Sequence, residues 1–158
     1  MSTSFLHLRT MMRLRGAVVI LGCVHVASAN AVLAADNYTS VKLTELNPDA
    51  QSTWKRLADE PIHYPRALAF NEVAGCSVVD VTISPAGQLQ DIRVVQAQPF
   101  DVISLPAAQL IKSWQWYKSD SLPAREENKQ IRLDFCYSGV SAQAADSLCM
   151  AQVKRACQ

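Results

Sequence analysis

Two segments in which polar and apolar residues alternate, residues 76–83 and 129–137, constrain the fold of this chain most strongly. In the first, every second residue from Ser77 to Ile83 is small or apolar, and in the second Ile131, Leu133, Phe135 and Tyr137 alternate with polar residues. A period of two is typical of strands with one buried face. The chain is therefore predicted to form a sheet that is covered on one side.

Turn and helix signals lie between these strands. Pro85-Ala86-Gly87 is followed by a second strand signal at residues 89–96, which carries Leu89, Ile92 and Val94, and together they predict a β-hairpin. Ser104-Leu105-Pro106 is predicted to begin a helix, and a polar loop at 118–128 leads to the last strand. Four apolar residues of this helix recur at helical spacing: Ala107, Leu110, Ile111 and Trp114.

Two helices are predicted before the sheet. Asn47-Pro48 has the pattern of a helix N-terminus, so residues 36–60 are predicted as an N-terminal helical segment. Tyr64-Pro65 begins a second, short helix. The predicted fold is α+β, with a three-stranded antiparallel sheet of order 2-1-3 and helices packed on one face.

The alternation also suggests how the first and last strands pair. If they run antiparallel with residue numbers that sum to 212, apolar residues face each other, Asp80 faces Arg132 and Cys76 lies opposite Cys136. This register predicts a Cys76–Cys136 disulfide. The pairing of Cys149 and Cys157 in the alanine-rich tail, residues 139–158, stays open. Eight residues of straight helix separate Cα atoms by about 12 Å, which is too far for a disulfide.

Residues 1–35 have the pattern of a secretory signal peptide, with three arginines, an uncharged apolar run and a small-residue exit at Ala27-Ser28-Ala29. We expect export to the periplasm and cleavage between residues 29 and 35. An uncleaved signal anchor is the alternative, since residues 16–35 carry no charge. The Ile20-Leu21-Gly22-Cys23 run also permits a lipoprotein.

Removal of residues 1–35 changes the charge and the cysteine count. The full chain has a net charge of +1, and the remainder, which keeps all 14 acidic residues, has a net charge of about −2, so a nucleic-acid-binding surface is not predicted. Four cysteines in an exported chain favour disulfides over free thiols: Cys76, Cys136, Cys149 and Cys157. Neither a metal site nor a cofactor is predicted, because no Cys-x-x-Cys pair occurs and His63 is the remaining histidine.

No enzymatic motif is found, and the protein is predicted not to be an enzyme. A Gly-x-Ser-x-Gly elbow and a phosphate loop are both absent from the sequence. Cys76 with His63 could form a nucleophile and base, but a structural disulfide explains that cysteine better. Asp80 and Asp134 could form a carboxylate pair, but a charge cluster with Arg132 explains them better.

Five motifs follow one another between residues 61 and 138: Tyr64-Pro65, Gly75 before Val79-x-Val81-x-Ile83, Gly87 in the hairpin, Trp114-Gln115-Trp116 and Ile131-x-Leu133-x-Phe135. In order and spacing they resemble the periplasmic C-terminal domain of the TonB family. The resemblance implies that an extended peptide of an outer-membrane receptor, or of another envelope protein, pairs with an exposed sheet edge. The predicted strand order makes residues 129–137 that edge. Four of its residues would flank the guest: Gln130, Arg132, Asp134 and Tyr137. Alternatively, the charges or the C-terminal tail protect the edge.

The N-terminus departs from the energy-transducing members of that family. Leu21 lies four residues before His25, where transducers carry a serine that contacts the ExbB/ExbD motor, and no long Pro-rich spacer follows. The sequence therefore favours a periplasmic protein- or peptide-binding domain. Two alternatives remain: a short membrane-anchored transducer that acts with ExbB/ExbD in transmembrane transport, and a disulfide-stabilised structural protein of the cell envelope without receptor binding.

Overall fold

A computed structural model describes residues 37–57 and 61–158, so the predicted signal peptide lies outside the described residues. The strands are β1 (Lys42–Glu45), β2 (Trp54–Arg56), β3 (Gly75–Ile83), β4 (Leu89–Gln98), β5 (Trp116–Lys118) and β6 (Glu127–Phe135). The helices are α1 (Arg66–Phe70), α2 (Phe100–Lys112) and α3 (Ala142–Gln152). The fold is α+β, as predicted.

The main sheet is antiparallel and has the order β1-β6-β3-β4. Its last three strands are the predicted hairpin and final strand, in the predicted relative order. The prediction was incomplete, because β1 adds a fourth strand beside β6. A separate two-stranded sheet consists of β2 and β5.

The main core lies between one face of this sheet and the helices α1 and α2. Alternate residues of β3 and β6, among them Val79 and Leu133, are fully buried there, as are Ile103, Ala107 and Ile111 of α2. Burial of each large apolar side chain contributes about 1.5–3 kcal/mol. The alternation and the helical spacing in the sequence therefore predicted the core correctly.

Helix α2 begins at Phe100, four residues before the predicted start. Pro106 lies inside the helix instead of in its first turn. A proline at this position removes one hydrogen bond to the C=O of residue 102. Packing of the buried residues Ile103, Ala107 and Ile111 on the sheet stabilises the helix in spite of that loss, so the proline did not mark the helix start.

The predicted N-terminal helical segment, residues 36–60, was wrong. Its described part forms strands β1 and β2 and the turn between them. The side chain of Asn47, which was predicted to cap a helix, accepts a hydrogen bond from the backbone N–H of Gln130 at 2.7 Å. Pairing with a distant strand has overridden the local helix signal.

The register between β3 and β6 differs from the predicted one by two residues. Cys76 lies opposite Asp134, and Asp80 lies opposite Gln130 and not Arg132. A shift of two residues leaves every side chain on its own face of the sheet. For that reason the apolar alternation could not distinguish the two registers, and the predicted Cys76–Cys136 disulfide was wrong.

Both disulfides instead attach the C-terminal tail to the sheet. Cys136 is bonded to Cys149 in α3, and Cys76 is bonded to Cys157, with Cα separations of 5.4 and 5.7 Å. Cys76 and Cys157 also form a small apolar cluster with Val78 on the second face of the sheet. The prediction that helices cover one face was therefore incomplete, since α3 and the tail cover part of the other.

Candidate functional site

The outer side of β6 presents a row of backbone polar groups. The Gln130 C=O accepts a hydrogen bond from the Leu46 N–H at 2.8 Å, and the Gln130 N–H donates to the Asn47 side chain. Backbone groups of alternate residues in an antiparallel strand point to the same side. Those of Arg132 and Asp134 therefore point outward as well, away from β3.

Residues 37–47, which we call the arm, lie along this side of β6 and bond to these backbone groups. Strand β1 in the arm pairs antiparallel with residues 131–134, and a further bridge joins Tyr38 to Tyr137. The prediction that residues 129–137 form an exposed edge was therefore wrong. The edge is covered by a strand from a part of the chain that was predicted to be helical.

Three side chains of the arm fit into the domain. The Tyr38 ring lies 5.0 Å from the Tyr64 ring, centroid to centroid. Val41 is 4% exposed and belongs to the main core. The Glu45 carboxylate accepts a hydrogen bond from Nζ of the buried Lys129 at 2.8 Å.

The remaining contacts of the arm are weaker. Leu43 and Leu46 are 39% and 43% exposed. Lys42 forms an ion pair with Asp146 of α3 at 2.7 Å, but both side chains are more than a third exposed, and such pairs contribute little. Outside these three positions, the arm is held by backbone hydrogen bonds and by the Asn47 side chain, which accepts a hydrogen bond from the Gln130 N–H.

The four residues predicted to flank a guest peptide occupy different environments. Gln130 is half-buried and donates to Asp80 at 2.9 Å, and Tyr137 is half-buried beside the arm. Arg132 and Asp134 are buried. Their side chains are thus not a free polar surface, and their role in binding stays a prediction.

The side chains of Arg132 and Asp134 form a bidentate ion pair beneath α3. The guanidinium nitrogens lie 2.8 and 2.9 Å from the two carboxylate oxygens. Gln152 of α3 donates to Asp134 at 2.9 Å, and its backbone C=O accepts from Arg132 at 3.0 Å. The tail therefore satisfies an ion pair that would be costly to bury alone.

A second buried charged pair, Glu127 and Lys129, lies at the start of β6. Burial by itself raises the pKa of Glu127. Hydrogen bonds from the Thr53 and Trp54 N–H groups, from Ser52 and from Arg125 have a larger, opposite effect, and the pKa falls to about 2. Lys129 Nζ lies 3.7 Å from the Glu127 carboxylate. This carboxylate anchors the start of β2 to the main sheet.

A cleft of about 330 Å³ lies beside the arm and these charges. Its walls include three tryptophans, Trp54, Trp114 and Trp116, together with Leu43 of the arm and Lys129. Within the described part of the chain, the buried Nε1 of Trp116 has no hydrogen-bond partner. The sequence did not predict this cleft, because β2 was read as helix.

The other edge of the main sheet is β4, which has β3 as its one partner strand among the described residues. Its outward side chains include Asp91 and Arg93, and the Arg93 guanidinium donates to Asp80 at 2.8 Å. Two register shifts interrupt the β3–β4 ladder. Charges and bulges of this kind protect sheet edges from unwanted pairing.

The residues considered as candidates for catalysis are engaged in other bonds. Cys76 is bonded to Cys157 and is not a thiol. Asp80 and Asp134 are each paired with an arginine, Arg93 and Arg132 respectively. Across residues 37–57 and 61–158 the structure brings together no group of three His, Cys, Asp or Glu residues that could hold a metal ion.

The comparisons with known proteins agree with the resemblance found in the sequence. Residues 60–135 match the family model of the Gram-negative bacterial TonB protein C-terminal. These residues belong to the TonB C-terminal family. The matched TonB segment ends with β6, and both the arm and α3 lie outside it.

Other comparisons add little. A solution NMR structure of the Pseudomonas aeruginosa TonB C-terminal domain is similar at 23% sequence identity, covers 63% of this chain and 96% of that chain, and has a TM-score of 0.42. No curated protein matches the chain. In the described part of the chain, no helix is long and apolar enough to cross a membrane.

Proposed function

We propose that this TonB-family domain binds an extended segment of an outer-membrane receptor in the periplasm, by addition of a strand to β6. Proteins of the TonB family interact with outer-membrane receptors, and strand addition is the mode that the resemblance implies. The domain acts as a binding module, without catalysis.

One observation carries this proposal. The TonB segment, residues 60–135, ends at β6, and β6 pairs on its outer side with β1 from outside that segment. The edge thus accepts an extended strand through backbone hydrogen bonds. The guest needs few particular side chains, since most of the pairing is made by the main chain.

Peptides from outer-membrane receptors, added to the isotope-labelled chain, test the proposal. We expect changes in the amide resonances of Gln130, Arg132 and Asp134, whose backbone groups face outward. Two methylated versions of a binding peptide serve as matched controls, one N-methylated at alternate residues that face β6 and one at those that face away. The first should lose binding and the second should keep it.

Binding by both methylated versions would show that backbone pairing is not used. If no receptor peptide changes any strand resonance, the structural role in the cell envelope is favoured instead. The alternative of a membrane-anchored transducer depends on whether residues 1–35 form an uncleaved anchor. These residues lie outside the described part of the chain, so this alternative stays a prediction.

A further inference from the structure

The arm has the geometry of a bound guest. It runs antiparallel along β6, and it is bonded to β6 through its backbone and through the side chains of Glu45 and Asn47. The Leu46 N–H faces β6, so by alternation those of Lys42 and Thr44 do as well. Val41 faces the other way and donates its N–H to the Ile62 C=O at 2.9 Å.

Three positions of the arm place side chains against the interior of the domain, and Lys42 and Asn47 add exposed polar contacts. The aromatic ring of Tyr38 packs on Tyr64, the β-branched Val41 is buried in the core, and the carboxylate of Glu45 meets the ammonium of Lys129, which is 5% exposed. These positions are spaced by three and four residues. Between them the arm is partly or largely exposed.

We infer that residues 37–47 are an internal guest strand that a partner segment replaces, and that their side-chain pattern describes the partner. This inference rests on the proposed function. The partner is an extended protein segment, antiparallel to β6, with an aromatic residue, a β-branched residue three positions later and an acidic residue four positions after that. The partner residues that take the places of Leu43 and Leu46 can be of any type.

Replacement is physically reasonable because the arm is joined to the domain at few places. Opening it breaks backbone bonds along one side of β6, uncovers Val41, which is 4% exposed, and leaves the buried Lys129 without Glu45. A partner with the same pattern restores these contacts. A partner binds only molecules in which the arm is open. Because these are a small fraction of the total, the measured affinity is lower than the affinity for the open form by the same factor.

A synthetic peptide with the sequence of residues 37–47, added in trans to the full chain, tests the inference. Val41→Ala in the chain removes two buried methyl groups and should tighten peptide binding about tenfold, because it weakens the competing arm. Val140→Ala makes the same chemical change at a valine that is 78% exposed and should leave binding unchanged. A peptide with aspartate in place of its valine should not bind.

Hydrogen exchange gives the second readout. When the peptide or a receptor segment binds, the amides of Thr44 and Leu46 in the chain should lose protection, while those of β6 stay protected. If receptor peptides shift the amides of Gln130, Arg132 and Asp134 and expose Thr44 and Leu46 but the arm peptide does not bind, the side-chain pattern is overturned and the proposed function stands. Receptor binding that leaves Thr44 and Leu46 protected, or equal binding to wild type and Val41→Ala, would overturn both, because a guest strand cannot pair with β6 while the arm does. If no receptor peptide binds but the arm peptide does, the proposed function fails and the internal guest strand is upheld.

Discussion

The carboxylate of Glu127 accepts a hydrogen bond from the backbone N–H of Thr53, 74 residues earlier in the chain. This bond, with those from Trp54 and Ser52, links the small β2–β5 sheet to the first residue of β6. It holds the segment that follows the arm in a fixed place. The position of the arm therefore depends on a buried carboxylate as well as on strand pairing.

Stability should depend on pH through this carboxylate. The pKa of Glu127 is about 2 in the folded protein, below its ordinary value of 4.5, so its contribution is present above pH 5 and is lost as the pH falls toward 2. Glu127→Gln should lower the free energy of unfolding by about 2–3 kcal/mol at pH 7 and by about 1 kcal/mol at pH 3. Urea unfolding measures both.

Glu126→Gln is the matched control, because the neighbouring Glu126 is exposed. Its effect should be small at both pH values. A loss for Glu127→Gln that is equal at pH 7 and pH 3 would mean that the ionised carboxylate is not what stabilises the junction.

The Arg132–Asp134 ion pair should be far more sensitive to mutation than the exposed pair on the same face. Arg132→Ala leaves the fully buried Asp134 carboxylate without its cation, which should cost about 3–5 kcal/mol. Arg93→Ala breaks the exposed pair with Asp80 and should cost about 0–1 kcal/mol. Thermal unfolding of the two variants checks this, and similar losses would contradict the buried geometry.

The two disulfides should differ in their effect on stability. Cys76–Cys157 closes a separation of 81 residues and Cys136–Cys149 one of 13. In the chain-entropy account, their removal by paired Cys→Ala changes should cost about 4.5 and about 3 kcal/mol. Peptide mapping without reduction should recover these two pairs. Recovery of a Cys76–Cys136 peptide would contradict both the structure and the order of stability.

The turn at Gly87 should not tolerate a side chain. Its φ is +77°, and an added Cβ would lie 2.7 Å from the Trp54 ring. Gly87→Ala should destabilise by about 1–3 kcal/mol. Gly139→Ala, where a Cβ meets nothing within 4 Å, should be close to neutral. Near-equal unfolding midpoints for the two variants would show that Trp54 does not pack on the hairpin turn.

The sequence predicted those parts of the fold that have a local period. The β3–β4 hairpin, α1, α2 and β6 follow from alternation, helical spacing and turn residues. The register of β6 was missed because a shift of two residues preserves every face. The arm was missed because Asn47-Pro48 is a good local helix signal and nothing near it in the sequence reports the distant edge.

The candidate site was predicted in part for the same reason. Its location on the outer side of β6 followed from the strand order and the resemblance, and the backbone groups of Gln130, Arg132 and Asp134 do point there. Their side chains could not be placed, since burial of Arg132 and Asp134 depends on where α3 packs. That packing depends on disulfides whose pairing the sequence left open.

Contacts between a bound receptor peptide and β6 test the central claim most directly. Nuclear Overhauser effects between a labelled peptide and the chain should connect alternate peptide amides to Gln130, Arg132 and Asp134, in antiparallel order, while Lys42 and Thr44 of the arm lose their contacts to β6. Peptide contacts confined to β4, or to loops with the arm still paired, would contradict the account.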